Sequence, residues 1–196
     1  MPDGEFLDVT VLFADIEGFT RLSERLPPRE VVKLLNEYFT VMTGVVQHFG
    51  GTLDKYIGDA MMVVWEGDTA RSAAGAAQAA LAMQAELAIL QQKWLAEGKL
   101  PLKTRIGISS GQVIVGLIGS PVRRDRTVIG DAVNTASRLE GLNKEFHTDI
   151  IMSQSTYELV ADLVEVKPLG RVAIKGRTEA VGAYALTGWR QDAARP

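Results

Sequence analysis

The chain has no cysteine, which removes disulfides, thiolate metal sites and cysteine nucleophiles from consideration. Histidine is almost as scarce. His48 and His147 are the only two, poor material for a multi-histidine zinc site or a histidine-based triad. Positive charge is not in excess either: 21 Lys and Arg stand against 24 Asp and Glu, for a net charge of −3. Neither nucleic acid nor an anionic membrane is therefore the expected partner, and any phosphate must be met by a few local groups. No apolar stretch reads as membrane-spanning, and the opening MPDGEFLD is no signal peptide. A cytoplasmic domain without a membrane segment is the expectation. With 196 residues, 46% hydrophobic and 23% charged, the chain is long enough to bury a core. Residues 1–187 read as a single domain and 188–196 as a flexible tail.

Periodicity and turn chemistry predict interleaved strands and helices. Residues 9–15 (VTVLFAD) are β-rich and nearly all apolar, a central strand ending at Asp15. After a turn at Glu17-Gly18 and a short helix, the ladder Val31, Leu34, Leu35, Tyr38, Met42, Val45, Phe49 keeps helical period from Pro28 until Gly50-Gly51. Residues 53–57 and 60–65 form a hairpin around Gly58-Asp59. Asp68 or Thr69 caps an Ala-rich helix running to Gly98. Strands at 102–108 and 112–118 flank a Ser-Ser-Gly turn, and 127–129 add a short strand. A helix at 131–146 follows, then a strand at 148–152, and Ser155 with Glu158 reads as a capping box. Short strands at 164–166, 171–174 and 181–186 complete an α+β chain with a mixed sheet.

Two features carry chemistry. Asp15 and Asp59 each end a strand-like segment, and if those strands are neighbours, both carboxylates project at one sheet edge. Hard oxygen donors without histidine or thiol suit Mg²⁺ or Mn²⁺. Backbone amides in 16–20, around Phe19 and Thr20, offer a cradle for phosphate oxygens. In IGDAVNTASRLE, Asn134 and Arg138 are four apart and share a helical face. An amide and a guanidinium one turn apart can hold a sugar ring and a charged phosphoryl group. The alternative is a solvated face, with Arg138 paired to Glu140 or Glu145.

Five stretches together resemble the catalytic domain of a class III nucleotidyl cyclase: VTVLFADIEGFT (9–20), LDKYIGDAMM (53–62), RIGISSGQVIVGLIG (105–119), RTVIGDAVNTASRLE (126–140) and VAIKGR (172–177). The resemblance implies a βαββαβ, ferredoxin-like or palm-like sheet and a head-to-tail homodimer with active sites at the subunit interface. It implies conversion of a nucleoside triphosphate to its 3′,5′-cyclic monophosphate and pyrophosphate. By position, Asp15, Asp59 and the carbonyl of Ile16 would hold two divalent cations. Asn134 would orient the ribose and Arg138 would stabilise the α-phosphoryl transition state. Arg105 and Lys175 would neutralise the β- and γ-phosphates. Asp15, Asp59 and Arg105 would come from one subunit, and Lys55, Thr127, Asn134, Arg138 and Lys175 from the other.

Lys55 and Thr127 fall at the base-reading positions. Adenine N1 accepts a hydrogen bond whereas guanine N1 donates one, so the donor-only ammonium of Lys55 favours ATP. Thr127 can donate or accept and discriminates weakly. A threonine there resembles the bacterial subgroup often stimulated by bicarbonate, and such stimulation is the corresponding expectation. Sensor or regulatory domains are expected outside these residues. The competing readings are a guanylyl cyclase, a diguanylate cyclase, whose Gly-Gly-Asp/Glu-Glu-Phe hairpin is missing, and an inactive nucleotide-binding module.

Overall fold

The computed structural model describes residues 4–120, 122, 124–173 and 180–191. Its elements run β1 (Glu5–Ile16), α1 (Phe19–Ser23), α2 (Pro28–His48), β2 (Thr52–Ile57), β3 (Ala60–Glu66), α3 (Thr69–Ala96), β4 (Thr104–Gly119), β5 (Arg124–Ile129), α4 (Asp131–Phe146), β6 (Ile150–Ser153), α5 (Gln154–Val160), β7 (Val164–Val172) and β8 (Val181–Trp189). The sheet order is β2-β3-β1-β4-β6-β8-β7, with β5 paired to β4. The first four strands pair antiparallel in the order of a βαββαβ unit, and β4 pairs parallel with β6. This is the mixed α+β sheet that the interleaved pattern predicts.

Alternation along β1 sorts its side chains between two faces. Leu12, Ala14 and Ile16 enter a large core with Met61, Val63 and Trp65 of β3, Leu34, Tyr38, Met42 and Val46 of α2, and α3 from Ala73 to Trp94. Val9, Val11 and Phe13 face the other way, against Val128 of β5 and Ala132 and Ala136 of α4. Asp15 continues that second series. So does Lys55, opposite Met62 of β3. The second face is where the chemistry-bearing residues gather.

α3 departs from the expectation about apolar stretches: at 28 residues with a mean window hydropathy of 1.3, it is long and apolar enough to cross a membrane. Its small residues are nevertheless buried against the sheet and α2, and Trp94 is fully enclosed, as in the core helix of a folded domain.

Other boundaries also move. Ser109-Ser110-Gly111 is no turn: β4 runs unbroken, and these residues pair with Val9, Thr10 and Val11 of β1. Ser110 Oγ shares hydrogen bonds with Thr10 at 2.8 Å and Thr156 at 3.0 Å, so in-register pairing satisfies residues whose composition favours turns. The cap of α5 is Ser153, whose Oγ accepts from the Thr156 amide, while Ser155 donates to the Ser110 carbonyl. β5 begins at Arg124 rather than 127, and β7 is one nine-residue strand. β8 continues to Trp189, opposite Val164, two residues beyond the expected domain limit at 187. The rest of the predicted tail, 192–196, lies outside the described residues.

Gly107 sets how α4 sits. A Cβ there would meet the Ala136 carbonyl oxygen at 2.1 Å and the Glu140 nitrogen at 2.3 Å. Only a residue without a side chain lets the helix backbone lie this close to β4. We predict that Gly107→Ala destabilises the fold by about 1–3 kcal/mol, the range for overpacking a tight contact. Thermal unfolding should show a melting point lower by several degrees, whereas an unchanged value would mean that α4 is not pinned at this point.

Candidate active site

The hairpin of β2 and β3 turns at Gly58-Asp59, and Gly58 supplies the left-handed backbone (φ 65) that a two-residue connection needs. β3 pairs with β1, with Met61 opposite Ala14. The turn therefore lands beside the end of β1, and the Asp59 carboxyl comes within hydrogen-bonding reach of Asp15. Burial, the Asp15 hydrogen bond and the Asp15 charge push Asp59 up to about 6, against the pull of the Asp59 and Ile16 backbone amides. Two converging acids are the arrangement the sequence reading requires.

Arg105 stands opposite Asp15 in the β1–β4 register. Its Nη2 is 3.6 Å from Asp15 Oδ2 and its Nε 3.0 Å from Glu140 Oε1. The second contact is a charge approach only: both atoms are buried and neither has an aligned hydrogen bond. Burial and the Asp15 charge raise Glu140 to about 7 despite Arg105. Glu140 thus engages Arg105 and not Arg138, which makes no ion pair among the described residues. The Arg105 side chain is 16% exposed between two carboxylates, so it is not the free phosphate-facing cation that the motif alone suggests. Glu140 was not among the predicted site residues. Its partner is distant in sequence, and helical spacing could not reveal it.

A second cluster forms higher on the hairpin. Lys55 Nζ donates to Thr127 Oγ1 at 2.6 Å and lies 3.2 Å from Asp54 Oδ2. Arg126 of β5 pairs with Glu66 of β3 at 2.7 Å, and Val128 is buried with Met62 and Val64. These contacts fold β5 over the hairpin and bring both predicted base-reading residues together within one chain. Asp54, also missed, completes the group.

Asn134 and Arg138 share one side of α4, Asn134 exposed and Arg138 partly so. Along the expected amide cradle, the Glu17 amide is spent on the Lys103 carbonyl at 2.8 Å. Phe19 and Thr20 open α1 ahead of its first helical bond, Leu22 N to Gly18 O. Lys175 lies outside the described residues.

The described residues include no group of three or more His, Cys, Asp or Glu side chains able to hold a metal. The donors that converge here are the two carboxylates of Asp15 and Asp59; the Ile16 carbonyl is the third donor that the resemblance implies. Such a set suits Mg²⁺ or Mn²⁺, which bind few protein ligands and leave positions for phosphates, and a cation there would offset the burial and the Asp15 charge that raise Asp59.

A profile of the adenylate and guanylate cyclase catalytic domain matches residues 1–188. Adenylate cyclase 1 of Rhizobium meliloti (strain 1021) is 38% identical over 183 residues, covering 92% of this chain but 28% of that protein. This chain thus spans under a third of that relative. Among solved structures, the adenylyl cyclase CyaB from P. aeruginosa superposes with a TM-score of 0.90 at 35% identity, covering 98% of this chain and 100% of that one. The guanylyl cyclase Cya2 gives 0.88 at 35% identity, covering 96% of each. The equal identities leave the choice of base to the residues themselves.

The raised Asp59 value has a testable sign. A carboxyl whose folded value lies above its ordinary 3.8 holds its proton more tightly in the folded chain. Metal-free stability should therefore fall as pH rises through the window from about 4 to about 6. Glu140, raised from 4.5 to about 7, adds to the same fall, so Asp59→Asn should make it shallower without abolishing it. The substitution should abolish the melting-point increase that Mn²⁺ gives the unsubstituted chain at pH 8. Calorimetric melts with and without chelator check both, and an Mn²⁺ effect that survives the substitution would remove Asp59 from the site.

Proposed function

We propose that this chain, which belongs to the family of adenylate and guanylate cyclase catalytic domains, converts ATP to 3′,5′-cyclic AMP and pyrophosphate at sites shared between two copies of itself. The observation that carries the reading is the convergence of Asp15 and Asp59 at one end of the sheet, on the same chain as a base-reading pair, Lys55 and Thr127. Asp15, Asp59 and the Ile16 carbonyl would hold two divalent cations, which would supply Lewis-acid activation of the ribose 3′-hydroxyl and neutralise phosphate charge.

The protein's own part is positioning and charge. Asn134 orients the ribose so that its 3′-oxygen faces the α-phosphorus. That oxygen bonds to phosphorus as the bridge to the β-phosphate breaks; pyrophosphate leaves and one proton is released. Arg138, which has no carboxylate partner among the described residues, stabilises the charge that builds on the α-phosphoryl oxygens. Lys175 is assigned to the β- and γ-phosphates, with Phe19 and Thr20 amides beside them. Arg105 reaches the phosphates only by exchanging its carboxylate contacts. Lys55 selects adenine by donating to N1. We place the reaction in the cytosol, where ATP is supplied.

A second copy is the partner that the exposed surface supports. Phe6, Ile114 and Ile129 are successive cross-strand neighbours on β1, β4 and β5, and they are 67%, 39% and 52% exposed. A contiguous apolar strip of this kind favours association.

Product analysis with Mn²⁺ and equal ATP and GTP should give cyclic AMP and pyrophosphate in equal amounts. Predominant cyclic GMP would reverse the base assignment, and binding without turnover would support an inactive module. Arg138→Ala should lower kcat by roughly 10²–10³, as loss of a transition-state donor does. Mixing Asp59→Ala chains with Arg138→Ala chains should restore part of the activity, since one mixed site keeps both residues. Verified heterodimers without recovery would rule out shared sites.

A further inference from the structure

Asp54 sits in a bulge of β2. Leu53 pairs with Val63 and Lys55 with Met62, which leaves Asp54 as the extra residue. In a regular strand, neighbours point to opposite faces. The bulge instead aims Asp54 and Lys55 at the same group, the hydroxyl of Thr127. The Asp54 side chain is only 6% exposed, so its charge acts on close neighbours with little screening by water.

The donors and acceptors of this triad can be counted one by one. The Lys55 ammonium has three donors and no acceptor. One goes to Thr127 Oγ1 at 2.6 Å, one faces Asp54 Oδ2 at 3.2 Å, and one is left. Thr127 accepts from Lys55 and carries a single proton. That proton is directed to Asp54 Oδ2, a long contact of 3.5 Å. One lone pair of Oγ1 then remains, and no proton.

We infer that Asp54 is a specificity-determining positioning residue: by taking the Thr127 proton, it turns an ambiguous hydroxyl into an acceptor. A purine edge meeting Lys55 and Thr127 then faces one donor and one acceptor. Adenine, with N1 accepting and its 6-amino group donating, matches both. Guanine, with N1 donating and O6 accepting, opposes both. Thr127, taken alone a weak discriminator, becomes a strict one through its neighbour. Removing Asp54 frees the hydroxyl to rotate and donate to a 6-oxo group.

This inference rests on the cyclase reading for the identity of the base, and two kinds of measurement separate them. The 3′-deoxy analogues of ATP and GTP lack the attacking hydroxyl, so their dissociation constants report base selection without turnover. These are measured beside kcat/KM for ATP and GTP in the unsubstituted chain, Asp54→Ala, Thr127→Val and the double variant. Asp54→Ala should reduce the preference for adenine about tenfold, the scale of one lost hydrogen bond at a buried site. The change should appear in binding and in KM more than in kcat. The double variant should select no more poorly than Thr127→Val alone. An unchanged preference in Asp54→Ala overturns the inference. So does a loss that persists in full without the Thr127 hydroxyl, because Asp54 would then act through Lys55 only. Should Asp54→Ala fail to fold by its melting curve, Thr127→Val decides: an unchanged preference there overturns the inference equally. If the unsubstituted chain binds the analogues but makes no cyclic nucleotide, the cyclase reading fails, and the role of Asp54 is judged on the binding preference alone.

Discussion

At Gly107 α4 approaches β4 too closely for any side chain to fit between them, and the layout of the site follows from that contact. With the Ala136 carbonyl and Glu140 amide lying on a bare strand backbone, Ala136 and Leu139 are fully buried. That burial fixes the rotation of the helix. Glu140 is carried to Arg105, and Asn134 and Arg138 are left on accessible sides. A side chain at position 107 would lift the whole helix and shift all of these groups together. The constraint is steric, and its consequence is electrostatic.

Beside that contact the guanidinium of Arg105 lies between Asp15 and Glu140, and Asp59 lies against Asp15. Burial and mutual repulsion raise both Asp59 and Glu140. Arg105 is the one cation found against these acids among the described residues, and its contact with Glu140 lacks hydrogen-bond alignment. Such unrelieved charge persists only where the rest of the fold supplies enough stability. The opposite face of the sheet does so: Tyr38, Met42, Met61, Met83 and Trp94 are all fully buried there. One face holds the chain together, which leaves the other able to keep acids close to one another.

Much of the fold was legible because it rests on periodicity. The α2 ladder, the β2–β3 hairpin and the apolar run of β1 all fall where the pattern puts them, and strand-end placement brought Asp15 and Asp59 together as expected. What escaped was set by tertiary contacts. Ser109-Ser110-Gly111 has the composition of a turn, yet twelve-residue pairing between β1 and β4 keeps it extended. Ser155 has the spacing of a cap, but Ser153 takes that role while Ser155 reaches back to Ser110. Asp54 was invisible for a different reason. Strand alternation sends neighbours to opposite faces, and only a bulge puts Asp54 and Lys55 on one hydroxyl. Glu140 needed knowledge of where Arg105 lay.

The charges of a single chain also bear on why the site should be shared. Beside Asp15 the space is filled by Arg105 and Glu140, while Arg138 makes no ion pair among the described residues. One end of the molecule therefore carries acids in excess, and a helix elsewhere carries a cation unmatched. A nucleoside triphosphate needs cations at its phosphates and a reader at its base. On the proposed reading, antiparallel docking of two copies would supply both in each of two clefts, with no third component. The same geometry accounts for Lys55 and Asp59 lying four residues apart on one hairpin. Lys55 is turned to β5 and Asp59 to the end of β1, so each belongs to a different neighbourhood, and in the proposed dimer the two neighbourhoods would serve different nucleotides.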